Sequence, residues 1–152
     1  MSKVITILED KLVPVAAWIA QNKYINGIRR AFIMMMPLLM IGSIFLMISA
    51  FPLPAYQRGM TSLFGEGWKD ILDIPVSATF SLIALYVAFL VAQQLAKQFE
   101  LDSIAVGLLS LASFLILTPL GHSTEHGAVI TFDWLGSKGM FVAMVIGVLT
   151  VK

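Results

Sequence analysis

The sequence predicts an all-α, polytopic membrane protein with an N-terminal amphipathic helix ahead of its transmembrane helices, and three observations carry that prediction. Not one charged side chain lies between Arg30 and Arg58. The chain is 59% hydrophobic and only 12% charged, too little polar surface to cover a water-facing globule of its size. Further apolar stretches follow, each bounded by Pro, Gly or charged residues.

The elements follow in chain order. Over residues 1–29, Ile5, Leu8, Leu12, Val15 and Ile19 recur at alternating spacings of three and four. Lys3, Thr6, Glu9, Asp10 and Lys11 fall mostly elsewhere around the helix, which reads as an amphipathic helix on the membrane surface, bent at Pro14. Glu9 and Asp10 interrupt the apolar run that a cleaved signal peptide would need. The first span is residues 31–51, almost wholly Ile, Leu, Met and Phe. It has the roughly 20 residues that a hydrocarbon core about 30 Å thick requires at about 1.5 Å per residue. Met34, Met35, Met36 and Pro37 suggest a flexible, kinked entry to it.

The second span is 76–96, charge-free, with Pro75 in its first turn. The third is 104–119, where Asp102 and Ser103 supply starting caps and Pro119 with Gly121 supply the stop. A fourth begins at 139 and runs to 151, fewer residues than the roughly 17 needed to cross. A helix cut short would leave terminal carbonyls unpaired near hydrocarbon, so the chain is expected to be the N-terminal part of a longer protein. The other reading is a complete small protein whose last helix is re-entrant or surface-lying, with Lys152 snorkelling to the interface.

Charge sets the expected orientation. Lys3, Lys11, Lys23, Arg29 and Arg30 precede the first span, whereas the loop from Pro52 to Ile74 carries only Arg58 and Lys69, so the N-terminus is expected in the cytoplasm. A net charge of +1, with cations spread along the chain, argues against nucleic acid. The absence of cysteine removes disulfides, thiolate metal sites and cysteine nucleophiles.

Chemistry-bearing patterns are sparse. His122, Glu125 and His126 form a literal H-x-x-E-H match, the pattern of inverted zinc proteases. That motif requires a helix, and here Pro119, Gly121 and Gly127 bracket it in a loop with no evident third ligand, so the three read as polar residues at an interface. Ala84, Ala88, Ala92 and Ala96 form a four-residue ladder in the second span, and Gly139, Ala143 and Gly147 repeat the spacing. Such ladders let helix backbones approach closely in lipid, so both stripes are expected to bury against helices, with the lining of a substrate path as the alternative; the chain by itself is expected at most to self-associate through faces such as Ala84, Ala88 and Ala92. No Asp, Glu, Lys, Arg or His occurs inside an expected span, which reads as scaffold rather than substrate site. Gln93 and Gln94, at the expected cytoplasmic end of the second span, are the nearest exceptions, explained by helix packing or interface hydration as well as by ligand binding. No catalytic, substrate-binding or metal residue and no cofactor is assigned.

The order of segments carries a resemblance. Leu12-Val-Pro14, then Asn22-Lys-Tyr24-Ile-Asn-Gly-Ile-Arg29-Arg30-Ala-Phe, then Met36-Pro37-Leu-Leu-Met-Ile-Gly42-Ser43-Ile-Phe, Phe51-Pro52, and Leu108-Leu-Ser-Leu-Ala-Ser-Phe-Leu-Ile-Leu-Thr-Pro119 follow one another. Together they resemble the N-terminal part of the IIC sugar permeases of bacterial phosphoenolpyruvate-dependent phosphotransferase systems, in the lactose, cellobiose and diacetylchitobiose branch. The resemblance implies the membrane component of a phosphohistidine-sugar phosphotransferase system. It implies a homodimer that carries a β-linked disaccharide inward across the inner membrane while a cytoplasmic IIB partner phosphorylates it from a phosphocysteine. It also implies an interface-forming N-terminal half, with the sugar-binding His and Glu in a C-terminal half that has no counterpart here. Two classes of function stay open: part of a sugar permease, or a scaffold or dimerisation module that transports nothing by itself.

Overall fold

Asn22 divides the N-terminal apolar run into two helices. The computed structural model describes residues 13–118 and 132–152, and helix α1 covers 13–21. The Asn22 side chain then accepts from the backbone N–H groups of Tyr24 and Ile25, at 2.9 and 3.4 Å, and starts a new helix. The amphipathic helix expected over 1–29 is therefore corrected. Residues 23–29 belong to the helix that carries the first apolar span, because a side-chain cap at Asn22 satisfies N–H groups that a continuous helix would bond to its own carbonyls. The expected bend at Pro14 falls beside residues outside those described.

Helix α2, Lys23–Ser49, runs without interruption through Pro37. Its 27 residues give a length of roughly 40 Å, and residues 31–49 of the expected first span lie in it. The segment read as a loop from Pro52 to Ile74 is instead mostly helical. Helix α3 covers Pro54–Phe64, with proline in the first turn, and ends at Gly65, whose φ of 84° suits a residue without Cβ. Helix α4 covers Trp68–Val76 and contains Pro75. A π-helical turn, Ser77–Ser81, joins it to α5, Ile83–Gln98. Trp68–Gln98 is thus one 31-residue apolar rod interrupted by a wider turn, and its first turns carry Lys69, Asp70 and Asp73 ahead of the charge-free part.

Helix α6, Ser103–Leu117, is capped by Asp102, whose carboxylate accepts from Ile104 and Ala105 N–H at 3.0 and 3.2 Å. The short helix α7, Phe132–Leu135, a 3₁₀ turn and α8, Met140–Leu149, follow. At about 1.5 Å per residue, α6 and α8 reach only about 22 and 15 Å, while α2 and the Trp68–Gln98 rod are each long and apolar enough to cross a bilayer.

Helix α5 is the hub, packed against α2, α6 and α8. Its alanine ladder, Ala84, Ala88, Ala92 and Ala96, is fully buried. Gly147 of α8 lies so close to it that an added Cβ would sit 3.1 Å from Val91 Cγ1 and 3.3 Å from the Ala88 carbonyl. On the other sides, a Cβ on Gly27 would come within 2.5 Å of Leu95 Cδ2, and one on Gly107 within 2.7 Å of Phe89 Cε2. Small residues on α2, α6 and α8 therefore receive the larger side chains of α5. The ladder is consumed by the chain's own helices, so self-association through Ala84, Ala88 and Ala92 is corrected: no exposed surface remains there for a second molecule.

Candidate functional site

Polar groups inside apolar helices mark where function resides, since hydrocarbon penalises them unless each is partnered or lines a water-filled space. Among the described residues one group of them lies where the second rod widens. Pro75 has no N–H to give the helix ladder, and the chain passes through the π-helical turn just after it. The Thr79 hydroxyl stands 2.9 Å from the carbonyls of both Pro75 and Val76, and the Tyr86 hydroxyl donates to the Ala78 carbonyl at 2.9 Å. Two side-chain hydroxyls, with one proton each, thus serve three carbonyls of the break, Thr79 sharing its proton between two of them.

Gly42 of α2 makes room for this turn. A Cβ there would overlap Thr79 Oγ1 and press on the Phe80 ring. About two helical turns along α2, the buried Ser49 hydroxyl donates to Asp73 Oδ1 at 3.1 Å. Asp73 itself is exposed and lines an open cleft of about 490 Å³ with Asp70, Ile74, Ser77, Ala78 and Leu82. A carboxylate pair, a serine hydroxyl and a loosened backbone beside an apolar wall can accept hydrogen bonds from a hydroxyl-rich ligand. The described lining of the cleft thus supplies two carboxylates and one hydroxyl against an apolar wall.

A second polar group sits at the opposite end of α5. The Gln94 amide, nearly buried, donates to the Met34 thioether sulfur, and Gln98 Nε2 is buried with no hydrogen-bond partner among the described residues. Around it Tyr24 packs on Phe99 with centroids 5.5 Å apart, and the Lys23 ammonium lies 5.4 Å from the Phe99 centroid. Helix packing thus accounts for Gln94, while Gln93 is only partly buried. Lys23, Arg29, Arg30 and Lys97 decorate the ends of α2 and α5 that meet here, against Glu100 and Asp102. The α3–α4 end carries Arg58 and Lys69 against Glu66, Asp70 and Asp73.

His122, Glu125 and His126 lie outside the described residues, and among the described residues no cluster of three His, Cys, Asp or Glu could hold a metal. Neither the π-helical turn nor the Asp73 cleft is foreseen from the sequence. Pro75 followed by the hydroxyl-rich Ser77-Ala-Thr79-Phe-Ser81 is the signal that could have located them.

Comparison with known proteins places this geometry. Residues 29–152 match the family described as Phosphotransferase system, EIIC. The whole chain aligns with the PTS system cellobiose-specific EIIC component of Geobacillus stearothermophilus at 42% identity, covering 36% of that protein. It also aligns over its whole length with the Lichenan permease IIC component of Bacillus subtilis (strain 168), at 39% identity over 36% of that protein. The crystal structure of the transporter ChbC, the IIC component of the N,N'-diacetylchitobiose-specific phosphotransferase system, superposes on 94% of this chain with a TM-score of 0.83 and 39% identity, the match covering 35% of ChbC. The chain therefore spans about a third of the length of these relatives.

Proposed function

The chain belongs to the phosphotransferase system EIIC family, and from that membership we propose that it is part of a permease translocating a β-linked disaccharide of the cellobiose or diacetylchitobiose type. Transport is into the cytoplasm across a bacterial inner membrane and is coupled to phosphorylation of the sugar by a cytoplasmic IIB partner. The observation that carries this reading is the match over residues 29–152, supported by alignment of the whole chain with 36% of a cellobiose-specific component. The protein works as a homodimer in this reading, with its N-terminus in the cytoplasm. The cation-rich end formed by Lys23, Arg29, Arg30 and Lys97 supports that orientation, because basic residues near span ends are retained on the cytoplasmic side.

Within that function this part acts chiefly as scaffold. The helix α5 hub buries its small-residue face against three neighbours, a packing that holds helices rigidly where lipid offers no hydrophobic drive. Joined to the remaining two thirds of a cellobiose-type relative and expressed with IIB, the chain should restore saturable, IIB-dependent cellobiose uptake. The 152-residue chain alone in detergent should give no saturable heat with cellobiose or diacetylchitobiose by calorimetry. Failure of the joined protein to transport either sugar would favour the scaffold reading, and saturable binding by the chain alone would move a sugar site into the helices described above.

A further inference from the structure

Helix α3 lies in the segment that the sequence reads as a loop, and its side chains divide cleanly around its axis. At about 100° per residue, Tyr56, Met60, Leu63 and Phe64 fall within one arc and Arg58 and Ser62 on the opposite one. None of its residues is buried. Leu63 and Phe64 are 78% and 67% exposed, and on α4 beside them Ile71 and Ile74 are 68% and 67% exposed. Four large apolar side chains exposed on two successive helices are the kind of surface that lipid or another protein covers.

The hairpin is nevertheless fixed in place. The Tyr56 hydroxyl donates to the Ile48 carbonyl at 3.2 Å, and Gln57 Nε2 donates to the Phe51 carbonyl at 2.8 Å, tying α3 to the end of α2. Phe51, Tyr56 and Trp68 form an edge-to-face chain with centroids 5.2 and 6.2 Å apart. The indole of Trp68 is nearly buried and donates to Thr61 Oγ1 at 3.3 Å, closing α3 onto α4. Two clefts flank this indole. One, about 260 Å³, is lined by Ile48, Met60, Phe64, Trp68, Ile71 and Leu72, with no charged group. The other faces the polar arc and carries Arg58 and Lys69, with Glu66 between them in sequence.

Length places the hairpin in depth. The Trp68–Gln98 rod has 31 residues, roughly 46 Å at 1.5 Å per residue, some 16 Å longer than a hydrocarbon core of about 30 Å. The surplus includes the turns bearing Lys69, Asp70 and Asp73, which put α4's start at headgroup level. Tyr and Trp flanked by cations are the residues that hold an element at that level.

We propose that the α3–α4 hairpin is a lipid-binding element lying in the membrane interface. Its apolar arc is immersed at the acyl boundary, a phospholipid acyl chain occupies the cleft beside Trp68, and Arg58 and Lys69 face the headgroup phosphates. The same arrangement turns the polar arc of α3 outward to water.

The test uses the chain in vesicles of phosphatidylethanolamine and phosphatidylglycerol. It contains no native cysteine, so single nitroxide labels report cleanly on accessibility to oxygen, which partitions into lipid, and to a nickel chelate, which stays in water. Labels at Phe64→Cys and Ile71→Cys should collide several-fold more with oxygen than with the chelate, like a reference label at Ile44→Cys on α2, and a label at Ser62→Cys should show the reverse. In a Trp18→Phe, Trp134→Phe background, Trp68 fluorescence should be strongly quenched by lipids brominated on the acyl chain. Positions 64 and 71 as open to the nickel chelate as position 62 would place the hairpin in water and overturn the proposal. Protection from both probes, or a Trp68 emission indifferent to brominated chains, would overturn it in favour of a protein surface covering the cleft.

Discussion

Helices α2 and α5 are both long-apolar elements, and they use that apolarity in opposite ways. Along α2 the buried residues are Gly27, Ala31, Met35, Gly42 and Ser49, one narrow stripe, while Ile33, Met36, Met40, Ile44 and Met47 stand exposed. Along α5 eight of sixteen residues are buried, among them the whole alanine ladder. Overall apolarity cannot separate the two, because lipid and protein interior favour the same side chains. Size at the closest contacts does: Gly27, Ala31 and Gly42 of α2 and the alanines of α5 lie on the buried faces, while the exposed side of α2 carries Ile33, Met36, Met40, Ile44 and Met47. One face is therefore selected on polarity and the other on volume.

The sharpest way to break this contrast is to put charge on the lipid side. Ile44→Arg should cost about 2.5–3.5 kcal/mol of insertion free energy, measured as the inserted fraction in a translocon assay, whereas Ile44→Ala should change folded stability by no more than about 0.5 kcal/mol. Unaltered insertion of the arginine variant would mean that Ile44 does not lie deep in the bilayer. On the α5 side the selection should reverse. Ala88→Leu adds volume but no polarity at a position with 0% exposure, beside the carbonyl that accepts from Ser110 Oγ at 2.9 Å. It should destabilise by about 1–3 kcal/mol or more, read as a lowered unfolding midpoint in detergent, with insertion unchanged. Full retention of the midpoint would show that the ladder is loosely packed. The smallest effect tests the boundary between surface helix and rod: Asn22→Ala removes the cap of α2 and should cost about 1 kcal/mol, visible as faster amide exchange at Tyr24 and Ile25 while exchange in α5 stays fixed.

The apolar stretches were legible in the sequence because they carry no charge, and the contact surfaces were legible because small residues recur at helical spacing. Burial of those surfaces against helices was legible too, but not which helices they meet. The alanine ladder says that something approaches closely, but only the fold reveals that α2, α6 and α8 occupy it, leaving none for a second copy. The α3–α4 hairpin was hidden for a different reason. Its apolar residues at 56, 60, 63 and 64 have helical spacing, but Pro54, Gly59, Gly65 and Gly67 give the segment the punctuation of a loop. The widened turn depends on Gly42, some 35 residues away, and no local pattern encodes that dependence.

The π-helical turn at Ser77–Ser81 also acts as a phase shifter. A π turn holds about one more residue than an α turn, so it rotates everything before it by about 100° relative to everything after it. The alanine ladder downstream and Trp68 upstream share one rod, but this single extra residue decides the compass bearing between them. A one-residue deletion within 77–81 would leave composition and span length almost untouched and swing the hairpin a quarter-turn around the bundle. The turn is thus where an insertion or deletion, rather than a substitution, would re-aim one end of the molecule against the other.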